Sequence, residues 1–242
     1  ATLSLLVDDQ GNTGDGGPQT ASGSVSITVL AVNDAPTLAL PGNQTVNEDS
    51  PLVFSTAGGN GIVVDDVDAG AGHLQVTLSA TNGVLTLSQT TGLTFTVGDG
   101  TADTTMTFTG TLANINAALD GLTYLPNLNY NGPATLSLLV DDQGNTGDGG
   151  PQTVSGEVDI TIDAVNDPPV IAGPLDQNVD EDGTLVFSQA TGNAISISDP
   201  DIGGDPAIVS LSVGFGTLTL SQTTGLTFSV GTGTGDSAMT FS

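Results

Sequence analysis

Apolar and polar residues alternate through much of the chain. Leu74-Gln75-Val76-Thr77-Leu78 shows the pattern, as do Val84 to Leu87, Leu93 to Val97, Met106 to Phe108, Leu136 to Val140 and Val158 to Ile162. A period of two places successive side chains on opposite faces of a strand, so each run predicts a half-buried β-strand. Asn82-Gly83, Thr91-Gly92, Gly98-Asp99-Gly100 and Asn131-Gly132 separate the runs and supply the backbone conformations that tight turns need. Short alternating strands between such turns predict an all-β fold, an antiparallel β-sandwich. Residues 111–121 depart from the alternation. Leu112, Ile115 and Leu119 fall at helical spacing, with Thr111 before them and Gly121 after, which predicts one short helix over an edge of the sandwich. Phe54, Phe95, Phe108 and Tyr124 alternate with polar neighbours and are expected in the core.

The pattern also repeats on a larger scale. Residues 1–20 recur unchanged at 134–153, Ala31 to Pro36 recurs as Ala164 to Pro169 with one change, and Leu85 to Val97 returns at Leu218 to Val230. Each match keeps an offset of 133 residues. That period is too long for a solenoid unit and suits a chain of whole domains. The expected division is the closing strands of one repeat (1–33), a complete repeat (34–166) and the opening part of a third (167–242). The ends are expected to be cuts through a longer array; strand exchange between subunits is the other option, but such a composite domain would lack the equivalents of Gly110 to Pro133.

Charge narrows the chemistry. The 242 residues include 27 Asp and Glu, one His, and no Lys, Arg or Cys, for a formal net charge of −27. Phosphate binding relies on Lys or Arg, so nucleic acid is excluded as a partner. An anionic membrane surface is disfavoured by the same repulsion. Only 11% of residues are charged and mean hydropathy is +0.15, values of a folding rather than a disordered chain. No apolar run approaches a membrane span, and no basic-start signal peptide is present. Catalysis would need a Ser/His or Cys/His arrangement or a perturbed pair in a pocket. One His and no Cys or Lys leave only carboxylate pairs, and the chain is expected not to be an enzyme.

The carboxylates gather in loops: Asn33-Asp34, Asn47-Glu48-Asp49, Asp65-Asp66-Val67-Asp68 and Asp141-Asp142. Two carboxylates about 4 Å apart repel by roughly 4 kcal/mol at an effective dielectric near 20. The chain holds no cation to offset this, so the clusters either splay into water or bind a metal ion. All-oxygen donors suit Ca²⁺, which takes 6–8 of them, whereas zinc favours His or Cys and the one His, His73, lies outside every cluster. Asp66 does not start an EF-hand loop, because the twelfth position is Thr77. The Gly-rich run 144–150 occurs once per repeat, unlike a tandem calcium roll. Asn and Asp also serve as ordinary turn residues, which is the competing reading at every one of these positions; Asp15 and Asp148 are left as solvated loop residues.

These motifs carry a resemblance. Val32-Asn33-Asp34-Ala35-Pro36 resembles the cadherin inter-domain linker, and Val46 to Pro51 its V-x-E-N-x-P element. Asp66-Val67-Asp68 and Asp199-Pro200-Asp201 are similar to its D-x-D motif, and Val140 to Gly144 to A-x-D-x-G. The whole unit resembles the cadherin-like (Ig-like) tandem repeats of giant bacterial surface adhesins of the RTX and biofilm type. The resemblance implies one calcium cluster per junction. At the first, Asn33 and Asp34 of the linker would act with Asp66, Asp68 and Asp142 of the following domain. At the second, Asn166 and Asp167 would act with Asp199 and Asp201, joined by Glu48 from the trailing end of the preceding domain. Glu181 and Asp9 would serve junctions beyond residues 242 and 1. The acidic linker position of cadherins is Ala31 and Ala164 here, with Asp163 adjacent to the second, which implies fewer ions per junction.

The expected function is a calcium-stiffened structural repeat of a bacterial cell-surface adhesin or extracellular filament, supporting adhesion and biofilm formation. Adjacent repeats of the same chain are its expected partners, with like filaments on neighbouring cells as further candidates. The alternative is a carbohydrate-binding module with polysaccharide as ligand; ice binding through Thr105, Thr107 and Thr109 is a minor variant explained equally by a solvent-facing strand.

Overall fold

A computed structural model describes residues 1–11 and 13–242. The chain forms two compact units, Ala1–Ala164 and Val165–Ser242. The first opens with the antiparallel hairpin β1 (Thr2–Asp8) and β2 (Thr20–Ser26), paired from Thr2↔Ser26 to Asp8↔Thr20. Then come β3 (Thr37–Ala39), β4 (Gln44–Asn47), β5 (Leu52–Phe54), β6 (Val63–Asp65), β7 (His73–Ala80), β8 (Gly83–Thr86), β9 (Thr94–Val97) and β10 (Thr105–Thr111). Helix α1 (Leu112–Leu119), β11 (Leu122–Pro126), β12 (Gly132–Asp141) and β13 (Thr153–Asp163) complete it.

The alternating runs become the two layers of an all-β sandwich. One layer is a six-stranded sheet in the order β4-β13-β12-β7-β10-β9, antiparallel except for the β4–β13 pair. A three-stranded sheet, β5-β11-β8, and the pair β3-β6 make up the rest. The inward residues of the central strands, among them Leu74, Val76, Leu78, Met106, Phe108, Leu136 and Val140, are buried in one core. Phe54 and Tyr124 enter from the smaller sheet, fully buried, and Phe95 is half-buried with its ring 5.4 Å from that of Phe108. Tyr124 keeps its hydroxyl satisfied at the carbonyls of Thr81 and Asn82, 3.0 Å each. Outward Thr77 and Thr107 pair their hydroxyls at 3.0 Å, as expected of a solvent-facing strand surface.

Helix α1 forms where the helical spacing predicts it, capped by the Thr111 hydroxyl and burying Ile115, Ala118 and Leu119. Its Asn116 side chain mimics a neighbouring strand. It accepts from the Val64 N–H at 2.9 Å and donates to the Val64 carbonyl at 2.8 Å, so the helix takes up the groups that β6 would otherwise show at its edge.

The second unit repeats several strands of residues 37–108 of the first at the same offset. Its β14 (Val170–Ala172) pairs β15 (Ser196–Ser198) as β3 pairs β6, and β16 (Val209–Ser212), β17 (Phe228–Val230) and β18 (Ala238–Phe241) form a sheet in the order 16-18-17. The Phe228–Phe241 ring pair, at 5.5 Å, repeats Phe95–Phe108. Among the described residues no helix is long and apolar enough to cross a membrane.

Candidate functional site

The linker 31–36 meets the domain that follows it at one end of the sandwich, where the loops after β6 and β12 lie. Asp142, directly after β12, is fully buried and accepts three hydrogen bonds. Its Oδ1 takes the N–H groups of Gly144 and Gln152, both at 2.8 Å, and its Oδ2 takes the Asn33 amide at 2.7 Å. Burial pushes this carboxyl upward, but the bonds from Gln152, Gly144 and Asn33 together outweigh it and hold Asp142 below the usual carboxylate range. Asn33 is buried as well, and its Nδ2 donates a second time to the Gly150 carbonyl at 3.0 Å.

The D-x-D motif lies beside it as a local turn. Asp66 Oδ1 accepts from the N–H groups of Asp68 and Ala69 at 2.8 and 3.0 Å, which is the side-chain-to-backbone closure Asp favours in turns. Asp68 Oδ2 in turn accepts from the Asp34 N–H at 2.6 Å, and the Asp68 carbonyl from the Thr146 hydroxyl at 2.5 Å. Asn33, Asp34, Asp66, Asp68 and Asp142 therefore belong to one bonded network, and two of its buried oxygens, Asn33 Oδ1 and Asp66 Oδ2, have no donor.

Two orphaned buried acceptors beside further carboxylates, in a chain without Lys or Arg, suit the donor chemistry of a hard divalent cation. Among the described residues no three His, Cys, Asp or Glu side chains converge as a metal-holding group, and one of the two orphaned acceptors is an amide oxygen.

The other expected residues divide into two sets. Asp167 N–H donates to Asp201 Oδ2, and Asp201 N–H to Asp199 Oδ1 at 3.0 Å, repeating the Asp34–Asp68–Asp66 chain at an offset of 133. Asn166, unlike Asn33, is exposed and donates to the Asp167 carbonyl. Buried Glu48 joins Asp163 through its backbone N–H at 2.9 Å, at the end of the β4–β13 ladder opposite the linker. Glu181 is exposed. Asp9, the equivalent of Asp142, is exposed; its Oδ1 accepts from Gln19 and Gly11 N–H groups, which hold it below the ordinary carboxylate range.

Sequence reasoning passed over the part played by the loop 143–150. The Asp148 side chain is exposed, as expected of a loop residue, but its backbone pairs with the linker: Asn33 N–H donates to the Asp148 carbonyl and Asp148 N–H to the Ala31 carbonyl, both at 3.0 Å. Gln152 Nε2 donates to the Asn33 carbonyl at 2.5 Å. Asp103 and Asp236 were likewise unremarked. Each closes a turn with its Oδ2, Asp103 on the N–H groups of Asp99 and Gly100, and Asp236 on those of Thr232, Gly233 and Thr234.

No known family profile and no curated protein matches the chain. Among solved structures, the cohesin module of a Clostridium perfringens family 33 glycoside hydrolase is similar over 56% of this chain and 100% of its own, at 14% identity and a TM-score of 0.29. The surface layer protein SbsC, domains 1–6, is similar over 99% of this chain and 28% of its own, at 13% identity and a TM-score of 0.23. Likeness at that level carries no argument about function, which rests on the residues themselves.

Proposed function

We propose that this chain is a stretch of a non-catalytic, calcium-stiffened extracellular rod: a structural repeat of a bacterial surface adhesin or filament that supports adhesion and biofilm formation by extending the molecule. The observation that carries this is the bonded network of Asn33, Asp34, Asp66, Asp68 and Asp142, with Asn33 Oδ1 and Asp66 Oδ2 buried and unsatisfied at the point where a linker enters a domain. Asn33 and Asp66, through their two unpaired oxygens, would begin the ion's shell, with Asp34, Asp68 and Asp142 drawn in on binding, and the ion would supply the positive charge that the sequence lacks. Asn166, Asp167, Asp199 and Asp201 would do the same for the next linker, and Glu48, Asp163, Asp9 and Glu181 are proposed as calcium donors at the ends of their own repeats.

The chain's own residues have a mechanical part. The linker is held to the domain through Asn33 and Asp34, so any ligand drawn to the same oxygens ties linker motion to ion occupancy. Extracellular modules of this kind bind calcium at about 10⁻⁴–10⁻³ M. At 100 times the dissociation constant, occupancy adds roughly 2.7 kcal/mol. A net charge of −27 also keeps identical repeats from associating.

The test is small-angle scattering with thermal melting of the full chain, in millimolar Ca²⁺ and in chelator. The reading expects a higher melting temperature and a longer, narrower distance distribution with calcium. Identical curves in the two buffers would refute it. Binding of polysaccharide is the second possibility, and fully buried Tyr124 cannot be its aromatic platform.

A further inference from the structure

We infer that the Gly-rich loop 143–150 is a preformed clasp that grips the inter-repeat linker by itself, before and without any metal ion. The grip joins backbone bonds to those of the Asn33 side chain, which locks the linker in place. Across a parallel bridge between Val32 and Asp148, the Asn33 N–H donates to the Asp148 carbonyl and the Asp148 N–H to the Ala31 carbonyl. The Asn33 side chain adds bonds to Asp142 and to the Gly150 carbonyl, and Thr146 adds one to the Asp68 carbonyl. Val32 lies so close over the loop that a Cβ on Gly147 would sit 2.5 Å from the Val32 carbonyl carbon and 2.6 Å from the Asn33 nitrogen. Glycine at 147 is therefore required by the linker as well as by its own φ of +107°.

The same chain holds this loop twice, since residues 1–20 repeat 134–153. At the first copy a Cβ on Gly14, the equivalent of Gly147, would meet nothing within 4 Å. The described residues of this copy nevertheless repeat the backbone angles of the second. Gln10 and Gln143 have φ of +52° and +58°, Gly14 and Gly147 +102° and +107°, Gly16 and Gly149 +139° and +138°, Gly17 and Gly150 +69° and +70°. Asp9 closes its turn on Gly11 and Gln19 as Asp142 does on Gly144 and Gln152. Left-handed backbone at Gln143, Gly144, Gly147, Gly149 and Gly150, with the turn closed by Asp142, already fixes the loop, so engaging the linker gives up little further conformational entropy. Linker direction is on this account set in two stages, first by the clasp and then by the ion. The first stage stands whether or not calcium binds.

Native-state hydrogen exchange of the full chain in EDTA, read residue by residue by NMR, tests this. The amides of Asn33 and Asp148 are expected to exchange at least about tenfold slower than unstructured amides. Gly147→Ala should release both while core amides such as Val76 and Val140 stay protected. Gly14→Ala, which introduces the same backbone strain where an added Cβ meets nothing within 4 Å, should leave both protected. Unprotected Asn33 and Asp148 amides in wild-type chain under EDTA would overturn the proposal, as would protection that survives Gly147→Ala. Should Gly147→Ala also unlock the core, Asn33→Ala decides, because it leaves the loop backbone intact: release of the Asp148 amide is expected, and its retention contradicts the clasp. Failure of the calcium reading would show instead as an unchanged spectrum on adding Ca²⁺.

Discussion

Asn33 donates its side-chain amide to the carboxylate of Asp142 at 2.7 Å across 109 positions of sequence, and neither residue is accessible to solvent to any extent that matters. The bond joins a linker to the turn that follows the longest central strand of the next domain. A buried carboxylate that keeps its charge must be surrounded by donors, and Asp142 has three.

Removing that carboxylate should therefore cost more than removing a surface one. Asp142→Ala strands the N–H groups of Gly144 and Gln152 and the amide of Asn33, and is expected to destabilise the first unit by about 3 kcal/mol. Urea unfolding in chelator, where no ion contributes, measures it; a loss below about 1 kcal/mol would contradict the role given to Asp142.

The same residue sets an acid dependence. Its folded pKa lies below the unfolded value, so its contribution is full above the ordinary carboxyl range and is lost as pH falls through the lowered value. The stability difference between wild type and Asp142→Asn should be constant from pH 7 to about 5 and shrink below about pH 4, near the ordinary Asp value. Taking the difference cancels the relief of general repulsion that acid brings to so negative a chain. A difference that grows with acid would have the wrong sign.

Tyr124 sets the alkaline limit. Burial, with a smaller contribution from Tyr130, pushes its hydroxyl up to about 12. A raised folded pKa means stability that is full below the unfolded value near 10 and is lost as pH rises toward 12. The chain has two tyrosines, so Tyr130→Phe leaves Tyr124 alone in a tyrosinate absorbance titration. Its midpoint should lie near 12, or coincide with unfolding if that comes first; a reversible midpoint at 10 in the folded chain would contradict its burial.

Asn116 joins the helix to β6 by two bonds, so Asn116→Ala leaves the N–H and carbonyl of Val64 unmet at a sheet edge. A loss of about 1–3 kcal/mol is expected, with exchange of the Val64 amide accelerated. Asn116→Asp, which can accept but not donate, should recover the N–H bond alone.

Much of this architecture was legible in the order of residues. Period-two runs such as Leu74 to Leu78 became central strands because both signals, burial and alternation, report the same face. The spacing of Leu112, Ile115 and Leu119 located the helix for the same reason. The D-x-D turn was legible because Asp66 closes it on the N–H groups of Asp68 and Ala69, two and three residues on. The meeting of Asn33 with Asp142 came from the resemblance rather than from any local pattern. What stayed hidden is what the backbone does. The bridge from Val32 to Asp148 uses no side chain of either residue, so composition cannot report it. Asn116 acting as a strand neighbour was equally silent, since an Asn on a helix surface has no distinctive period. The exact recurrence of the Gly-rich run at an offset of 133 was the one available hint, and it signalled a shared shape without saying what that shape receives.

The central claim is that the oxygens around Asn33 Oδ1 and Asp66 Oδ2 bind calcium. Isothermal titration of the full chain with CaCl₂, beside Asp66→Asn, addresses it directly. The account predicts saturable binding at about 10⁻⁴–10⁻³ M, with at least one site fewer in the variant. A featureless titration, or an undiminished one in Asp66→Asn, would contradict it and leave these carboxylates as turn-closing residues.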